Sequence, residues 1–452
     1  MTKVQPKILS GFMELLPEQQ IKFNQIKQVI ADTYESFGFT PLDTPVLELS
    51  EVLLAKAGGE TEKQIYQFTK GDTDLSMRFD LTVPLARYVA MHQNDLSFPF
   101  KRYQIGKVYR GERPQKGRFR EFYQCDIDII GNETLDISYD AEMPAVIYNI
   151  FKKIGISDFT IRFNNRKILK GFFAELNLTD KIVDILRIVD KIAKIGQENV
   201  AKSLSDLGIS DDAISQIISF ITIEGTNDQI INSLKELPVS DETFKTGVSE
   251  LETVLKGVAD LGVPAENYSV DLSIARGLDY YTGTIYETTI NAYPEMGSVC
   301  SGGRYDDLAT FYTDKKLPGV GISIGLTRLF DQFSDRNLIS FASKNPADIL
   351  IIPMDAAQKK TAFEISALLR QANLKCDVFM EDKKFKAKMN YANKTAVPFI
   401  GILGEDEVNN NSIVIKNMTT GEQVTVGIKN APETLLKLKS ENTSEAKLIQ
   451  MK

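Results

Sequence analysis

Eight lysines or arginines and a single acid crowd into residues 101–120, KRYQIGKVYRGERPQKGRFR. A bare charge run is usually a solvated surface, but the alternation here says more. With 102–110 as a strand, Arg102, Gln104 and Arg110 project to one face. On the returning run Arg120, Phe122, Gln124, Asp126 and Asp128 share a face, and Tyr123, Cys125, Ile127 and Ile129 share the other. The apolar face belongs to a core. The opposite face offers forked guanidinium donors for phosphate or carboxylate, carboxylates, an amide and an aromatic ring able to stack on a planar base. That is the chemistry of a nucleotide pocket laid on a sheet.

Three other segments carry polar groups of the same kind. MRFDLTVPLARYV (77–89) sets Asp80 and Thr82 at the start of a helical run, where they either cap the helix or hold an ammonium group. DLSIARGLDYYTGTIYE (271–287) gathers Arg276, Tyr280 and Tyr281 between strand-like runs, suiting either turn packing or recognition of an anion and a polar ring. CSGGRYDDL (300–308) joins Gly302 and Gly303, which allow close backbone approach, to Arg304 and Tyr305. No GxxxxGK[ST] loop occurs, nor a GxGxxG that follows a strand, and Gly319 with Gly321 is too sparse for a phosphate cradle.

Composition excludes several classes. His92 is the one histidine, so no His-rich zinc site, histidine dyad or c-type haem attachment can be built. Cys125, Cys300 and Cys376 lie far apart, with no spacing for zinc or a disulfide framework, and Cys125 and Cys300 are expected to be buried fillers. A net charge of −8 makes the chain no general polyanion binder, so nucleic-acid contact must come from a local basic patch. No stretch approaches the ~18 apolar residues of a membrane span. The first residues, MTKVQPKILSGFMELLP, lack a secretory pattern, and a cytoplasmic location is expected.

The 452 residues suffice for several domains. Residues 18–37 place Ile26, Ile30, Tyr34 and Phe37 on one helical face, PLDTPVLEL is extended, and the stretch 56–72 is expected to be a loop. A hairpin spans about 98–130. Helical patterns then run from Arg166 to about Val263, before strand character returns at 270–275, 284–290 and 319–326. A helical block between strand-rich segments is a domain inserted into another. Past a polar stretch, strands and helices alternate from ADILIIP through FIGILG, followed by SIVIKNM and EQVTVGI, which makes a small α/β domain with a loose or frayed tail. The expected division is therefore 1–164 and 265–333 for a first domain, 165–264 for its helical insertion, 334–346 for a linker, and 347–452 for a terminal domain and tail.

Taken together these segments resemble the histidyl-tRNA synthetase family of class II aminoacyl-tRNA synthetases. VYRGERPQKGRFREFYQCDID (108–128) is similar to the second motif of that class, GVGISIGLTRLF (319–330) to the third, and the region of Pro45 to the first, a dimer-interface element. RGLDYYTGTIYE and SGGRYD resemble the two segments that mark the histidine family. The resemblance implies an α/β and α+β multidomain chain: an antiparallel sheet flanked by helices, a helical insertion contacting tRNA, and a C-terminal α/β anticodon-binding domain. It implies ATP-dependent attachment of L-histidine to tRNA(His) through an adenylate, with Mg2+, in a homodimer and without an editing domain.

Carried onto this sequence, the resemblance has Asp80, Thr82 and Gln124 grip the substrate ammonium and Asp128, Tyr280 and Tyr281 address the imidazole. Arg110 bridges the substrate carboxylate and the α-phosphate, which Arg276 also meets. Glu112 and Phe122 hold the adenine, and Arg328 the γ-phosphate. No metal ligand is assigned. Thr327 departs from the pattern, since many class members carry an acid before the motif-three arginine. Lys383, Lys384, Lys386 and Lys388 are candidates for tRNA phosphates. The rival within the resemblance is a synthetase-like regulatory subunit of histidine biosynthesis. Such proteins typically lack the terminal domain and the full RGLDYYTG segment. A generic adenylate-forming ligase leaves the terminal domain unexplained, and an RNA-binding scaffold leaves the polar constellation unexplained.

Overall fold

The structure, a computed structural model, describes residues 3–55, 60–115, 117–274, 281–306, 309–336, 338 and 344–450, and the side chains of all these except 60, 61, 193, 194 and 442–450. The chain forms two units: Met1–Met13 with Lys27–Ile339, and Glu14–Ile26 with Ser340–Lys452.

Helix α1 (Pro17–Ser36) starts on proline, whose fixed φ and missing N–H suit a first helical position, and buries Ile26, Ile30 and Tyr34 along one face. Strands β1 (Thr40–Pro41) and β2 (Leu47–Leu49) and the short helices α2 (Ser50–Leu54) and α3 (Glu60–Gln64) follow. Next come β3 (Gln67–Lys70), β4 (Thr73–Met77), helix α4 (Thr82–His92), and the long hairpin of β5 (Phe100–Tyr109) and β6 (Glu121–Ile130). The expected loop at 56–72 is thus largely ordered structure. Lys70 pairs with Thr73 across a two-residue turn at Gly71–Asp72, which Gly71 permits at φ +61°. Residues 56–59 lie outside the described residues.

Helix α5 (Glu142–Lys153) and β7 (Phe159–Asn165) lead into six helices, α6–α11: Arg166–Glu175, Ile182–Val189, Ile192–Asp206, Asp211–Ile221, Asn227–Glu236 and Glu242–Asp260. The chain then re-enters the sheet as β8 (Tyr268–Val270), parallel to β7. A parallel neighbour needs a crossover, and the helical block is that crossover. Ser210, Thr226 and Asp241 accept backbone N–H groups at the starts of their helices. The expected strand at 270–275 stops at Val270, because Asp271 Oδ1 accepts both the Ser273 N–H (3.0 Å) and its hydroxyl (2.6 Å), which turns the chain.

β9 (Thr284–Ile290), β10 (Cys300–Tyr305), β11 (Gly319–Gly325) and helix α12 (Leu326–Asp335) complete the unit. The large sheet runs β1-β5-β6-β11-β10-β9-β7-β8, antiparallel except at its two outer pairs. Near its middle, β6 turns Cys125, Ile127 and Ile129 to an apolar face that is fully covered, and Tyr34 donates its hydroxyl to the Cys125 carbonyl there at 2.9 Å. Its other face is equally hidden from solvent but polar.

In the second unit β12 (Ile349–Pro353), helix α13 (Lys359–Gln371), β13 (Cys376–Val378), helix α14 (Phe385–Thr395) and β14 (Phe399–Leu403) make a parallel core. Helix α15 (Glu405–Asn409) precedes the antiparallel β15 (Ser412–Asn417) and β16 (Gln423–Gly427). Ile349 and Ile351 pack with Ile365 and Leu369 on one face, and Leu350 and Ile352 with Phe379 and Ala392 on the other. Burial on both faces is why this strand is apolar without alternation. Helix α16 (Ala431–Gln450) takes in most of the terminal residues for which the sequence allows a loose tail or a frayed helix. Lys388 is 2% exposed and donates to the carbonyls of Pro353 (2.7 Å) and Met354 (3.1 Å). It therefore ties α14 to the end of β12 and is not on offer to a phosphate, whereas Lys383, Lys384 and Lys386 are exposed.

Candidate active site

A cavity of about 520 Å³ opens on the polar face of the large sheet. The alternation of β6 turns Gln124, Asp126 and Asp128 into it. On the neighbouring rungs of β5, Arg102 lies opposite Asp128 and Gln104 opposite Asp126. On the other side β11 sets Gly321 beside Asp128, Ser323 beside Asp126 and Gly325 beside Gln124. A Cβ at Gly321 would stand 2.7 Å from Asp128 Cγ, and one at Gly319 would stand 2.6 Å from Tyr305 Cζ. Neither glycine has room for a side chain. They clear the strand between two polar side chains of the cavity.

Asp128 is held from two sides: Arg102 Nη2 is 2.6 Å from its Oδ2, and the Tyr305 hydroxyl donates to its Oδ1 at 2.7 Å. Burial pushes its carboxyl upward while Arg102 and Tyr305 pull it down. Asp126, 2% exposed, lacks so close a cation. Burial pushes it up to about 7 against the pull of Arg102 and Ser323, and its Oδ1 has no hydrogen-bond partner among the described residues. Gln124 donates Nε2 to Ser323 Oγ at 2.6 Å, while its Oε1 accepts Arg110 Nη2 at 3.4 Å. Asp80 both caps α4, accepting the Val83 N–H at 3.0 Å, and lines the cavity. Burial raises its carboxyl as well.

The cationic side is built on the hairpin. The Arg110 guanidinium lies 4.4 Å from the Phe79 ring centroid and 5.0 Å from that of Phe122, with Nε donating to the Phe79 carbonyl at 3.2 Å. Glu112 sits 3.8 Å from Arg118. Arg328, from the first turn of α12, donates to the Met296 carbonyl, and its Cγ would be 3.7 Å from a Cβ at Gly117. The hairpin loop and α12 therefore converge. Thr327, the departure from the acid, is 2% exposed and accepts the Tyr123 N–H at 2.8 Å, a neutral link between α12 and β6.

Asp80, Thr82, Arg110, Glu112, Phe122, Gln124, Asp128, Tyr281 and Arg328 all line this one cavity. Arg276 and Tyr280 lie outside the described residues. Tyr281 is anchored through its neighbour, since Thr282 N donates to the Arg304 carbonyl at 2.8 Å. The Arg304 guanidinium in turn grips buried Asp140 at 2.6 Å. The sequence placed Arg102 and Asp126 on the polar face of the hairpin and Tyr305 in SGGRYD, but the roles drawn from the resemblance left out all three, as well as Ser323 and Gly321. The alternation of β6 already pointed to Asp126, between two chosen residues. The partners on β5, β10 and β11 become visible only through strand register.

An antiparallel sheet carrying acids and arginines in one cavity, closed by a helix that follows its third-motif strand, is the catalytic core of a class II synthetase. A sequence profile described as histidyl-tRNA synthetase matches residues 11–329, and one described as anticodon binding domain matches 348–438. The chain is 55% identical over 429 residues to a histidine–tRNA ligase of Clostridium tetani, covering 95% of this chain and 97% of that one. It superposes on histidyl-tRNA synthetase from Nostoc sp. PCC 7120 with TM-score 0.89 at 41% identity, covering 96% of this chain and all of the other. An ATP phosphoribosyltransferase regulatory subunit/histidyl-tRNA synthetase from Bacillus halodurans C shares the fold at TM-score 0.73 but only 19% identity, over 89% of this chain and 98% of that one. The chain belongs to the histidyl-tRNA synthetase family.

Proposed function

We propose that the chain joins L-histidine to tRNA(His) at the expense of ATP, through a histidyl-adenylate, with release of AMP and pyrophosphate. The observation that carries this is the sorting of charge within one cavity. Asp80, Asp126 and Asp128 act on one another's carboxyls, Arg118 and Arg328 line the cavity where the hairpin loop meets α12, and Arg110 acts on Asp80 while contacting Gln124. A substrate with a cationic ammonium and a partner with a polyanionic chain are both matched. The histidine carboxylate attacks the α-phosphorus, forming the acyl–phosphate bond as the bond to pyrophosphate breaks. No protein nucleophile is required, so the chemistry is positioning and charge stabilisation.

In this reading Asp80, Thr82 and Gln124 hold the ammonium. Arg110, fixed between Phe79 and Phe122, reaches the carboxylate and the α-phosphate, and its contact with Gln124 couples the two substrates. Asp128 accepts the imidazole N–H, and Tyr281 and Tyr280 close on the ring. Phe122 stacks on adenine with Glu112 at its edge, Arg328 meets the γ-phosphate and Arg276 the α-phosphate. Among the described residues no three His, Cys, Asp or Glu side chains gather as metal ligands, and Thr327 cannot supply an anion. A protein-held ion does not fit this donor set, and Mg2+ enters as part of the ATP substrate. The helical insertion and the exposed Lys383, Lys384 and Lys386 contact tRNA, the chain works as a homodimer, and it acts in the cytoplasm. Among the described residues no helix is long and apolar enough to cross a membrane.

ATP–pyrophosphate exchange with each of the twenty amino acids tests the reading. Exchange with histidine alone is expected. Absence of exchange with every amino acid would overturn it in favour of the regulatory subunit.

A further inference from the structure

Arg102 lines no part of the cavity, yet it is among the most deeply buried charges of the chain, at 0% exposure. One of its nitrogens meets Asp128 at 2.6 Å, and its Nε and Nη1 have no hydrogen-bond partner among the described residues. A guanidinium left so incompletely bonded is a costly structural filler. Its strand partner explains it. Both groups that touch Asp128, Arg102 at Oδ2 and Tyr305 at Oδ1, are donors. A carboxylate between two donors must present lone pairs, and no neighbour accepts a proton from it. We propose that Arg102 is a positioning residue for amino-acid selection, holding Asp128, together with the Tyr305 hydroxyl, as a proton-free acceptor aimed at the N–H of the substrate ring. The inference rests on the reading of Asp128 as the group that meets the imidazole.

The surroundings make the need plain. The charged and titratable groups facing Asp128 are Arg102 from β5, Asp126 on β6, Tyr305 on β10 and Asp80 ahead of α4. Buried Asp126 and Asp128 and half-buried Asp80 thus share the buried Arg102, and without it Asp128 would take up a proton and offer a donor where the ring also offers one. Burial and the neighbouring Asp80 both push the carboxyl in that direction, and Arg102 heads the opposing influences. Arg102 thereby keeps Asp128 an anion, whereas Asp80 has Arg110 acting on it as well.

The test is a double-mutant cycle in the full-length chain, read by ATP–pyrophosphate exchange at varied histidine from pH 6 to 9. Arg102→Gln should raise the histidine KM about tenfold at pH 7, leave the ATP KM within about twofold, and move the acid limb of kcat/KM for histidine up by about one pH unit. Arg102→Lys, which retains a cation, should recover most of the affinity and the original limb. In an Asp128→Asn background, Arg102→Gln should change the histidine KM by less than about twofold, because there is then no proton to exclude. The double variant also removes both buried charges, so it carries the test if Arg102→Gln alone does not fold. Additive effects in that background, or an unshifted acid limb in folded Arg102→Gln, would overturn the inference. An unchanged histidine KM in Asp128→Asn would instead overturn the reading of Asp128 itself.

Discussion

Replacing Asp126 by asparagine should make the protein more stable, and more so the higher the pH. In the folded chain burial carries the Asp126 carboxyl from an ordinary 3.8 to about 7, while in the unfolded chain it titrates at its usual place. Between those values the folded state binds a proton that the unfolded state has released, so stability falls as pH rises from about 4 to about 7. The difference is worth about 4 kcal/mol as an upper bound, at 1.36 kcal/mol per tenfold change in proton affinity. Asparagine has the shape of the protonated acid and never ionises. The wild type and Asp126→Asn should match within about 1 kcal/mol at pH 4 and diverge towards that bound by pH 8, the variant being the more stable. Asp80 and Asp128, also raised by burial, titrate in both proteins and largely cancel from the comparison. Since the chain has no tryptophan, urea unfolding followed by far-ultraviolet circular dichroism is the suitable assay. Parallel stability profiles from pH 4 to 8 would refute the argument, for then Asp126 is not ionised at a cost in the folded state. The charge that destabilises the empty cavity faces the region assigned to the ammonium, so the stabilised variant should show a higher histidine KM at pH 8, a trade of activity against stability.

Arg276→Ala should lower the adenylation rate on the order of 10²–10³-fold, as loss of one transition-state donor does; near-wild-type pyrophosphate exchange would remove Arg276 from the mechanism. Gly321→Ala places a methyl group 2.7 Å from Asp128 Cγ, so it should raise the histidine KM about tenfold or more with little change in the ATP KM, and equal effects on both would show a general collapse of the cavity. Lys388→Ala leaves the buried Pro353 carbonyl and the partly buried Met354 carbonyl without their donor and should destabilise by about 1–3 kcal/mol in urea. Substituting Lys383, Lys384 and Lys386 together should leave that stability within about 1 kcal/mol and flatten the salt dependence of tRNA binding; the opposite pattern would reverse the assignment of these lysines.

The long hairpin and the helical block were legible in the sequence because each rests on local periodicity. Ile127 and Ile129 against Asp126 and Asp128 announce two faces without reference to any other segment. The turn at Asp271 and the hairpin at Gly71 escaped, because a side-chain oxygen capturing two donors and a two-residue turn leave only faint marks on hydropathy. Lys388 was misjudged for a related reason. Its helix is rich in lysine, and only the carbonyls at the end of β12, 34 and 35 residues away, show that this one points inward. At the site, the residues picked from the resemblance that are described line one cavity, whereas Arg102, Ser323 and Gly321 depend on which strand neighbours which. Register between segments about 200 residues apart is not written in either one.

That dependence explains how a sheet face becomes a selective pocket. Side chains on one face of an antiparallel strand stand about 7 Å apart, too close for a row of carboxylates to remain equivalent. In β6 the neighbouring strands make them inequivalent: Asp128 receives a cation from β5, a hydroxyl from β10 and empty space from the glycine on β11, while Asp126 receives only the Ser323 hydroxyl and the shared influence of Arg102. Two identical residues two positions apart thus acquire different proton affinities from the strands beside them. Because Arg102 and Tyr305 stay on Asp128, swapping Ser323 and Gly321 should leave Asp128 the acid on which the histidine KM depends, and the side chain now at 321 should raise that KM by crowding it. If Asp126 became the sensitive acid in the Gly321→Ser, Ser323→Gly protein, the control would lie with the pairing of β11 and not with Arg102.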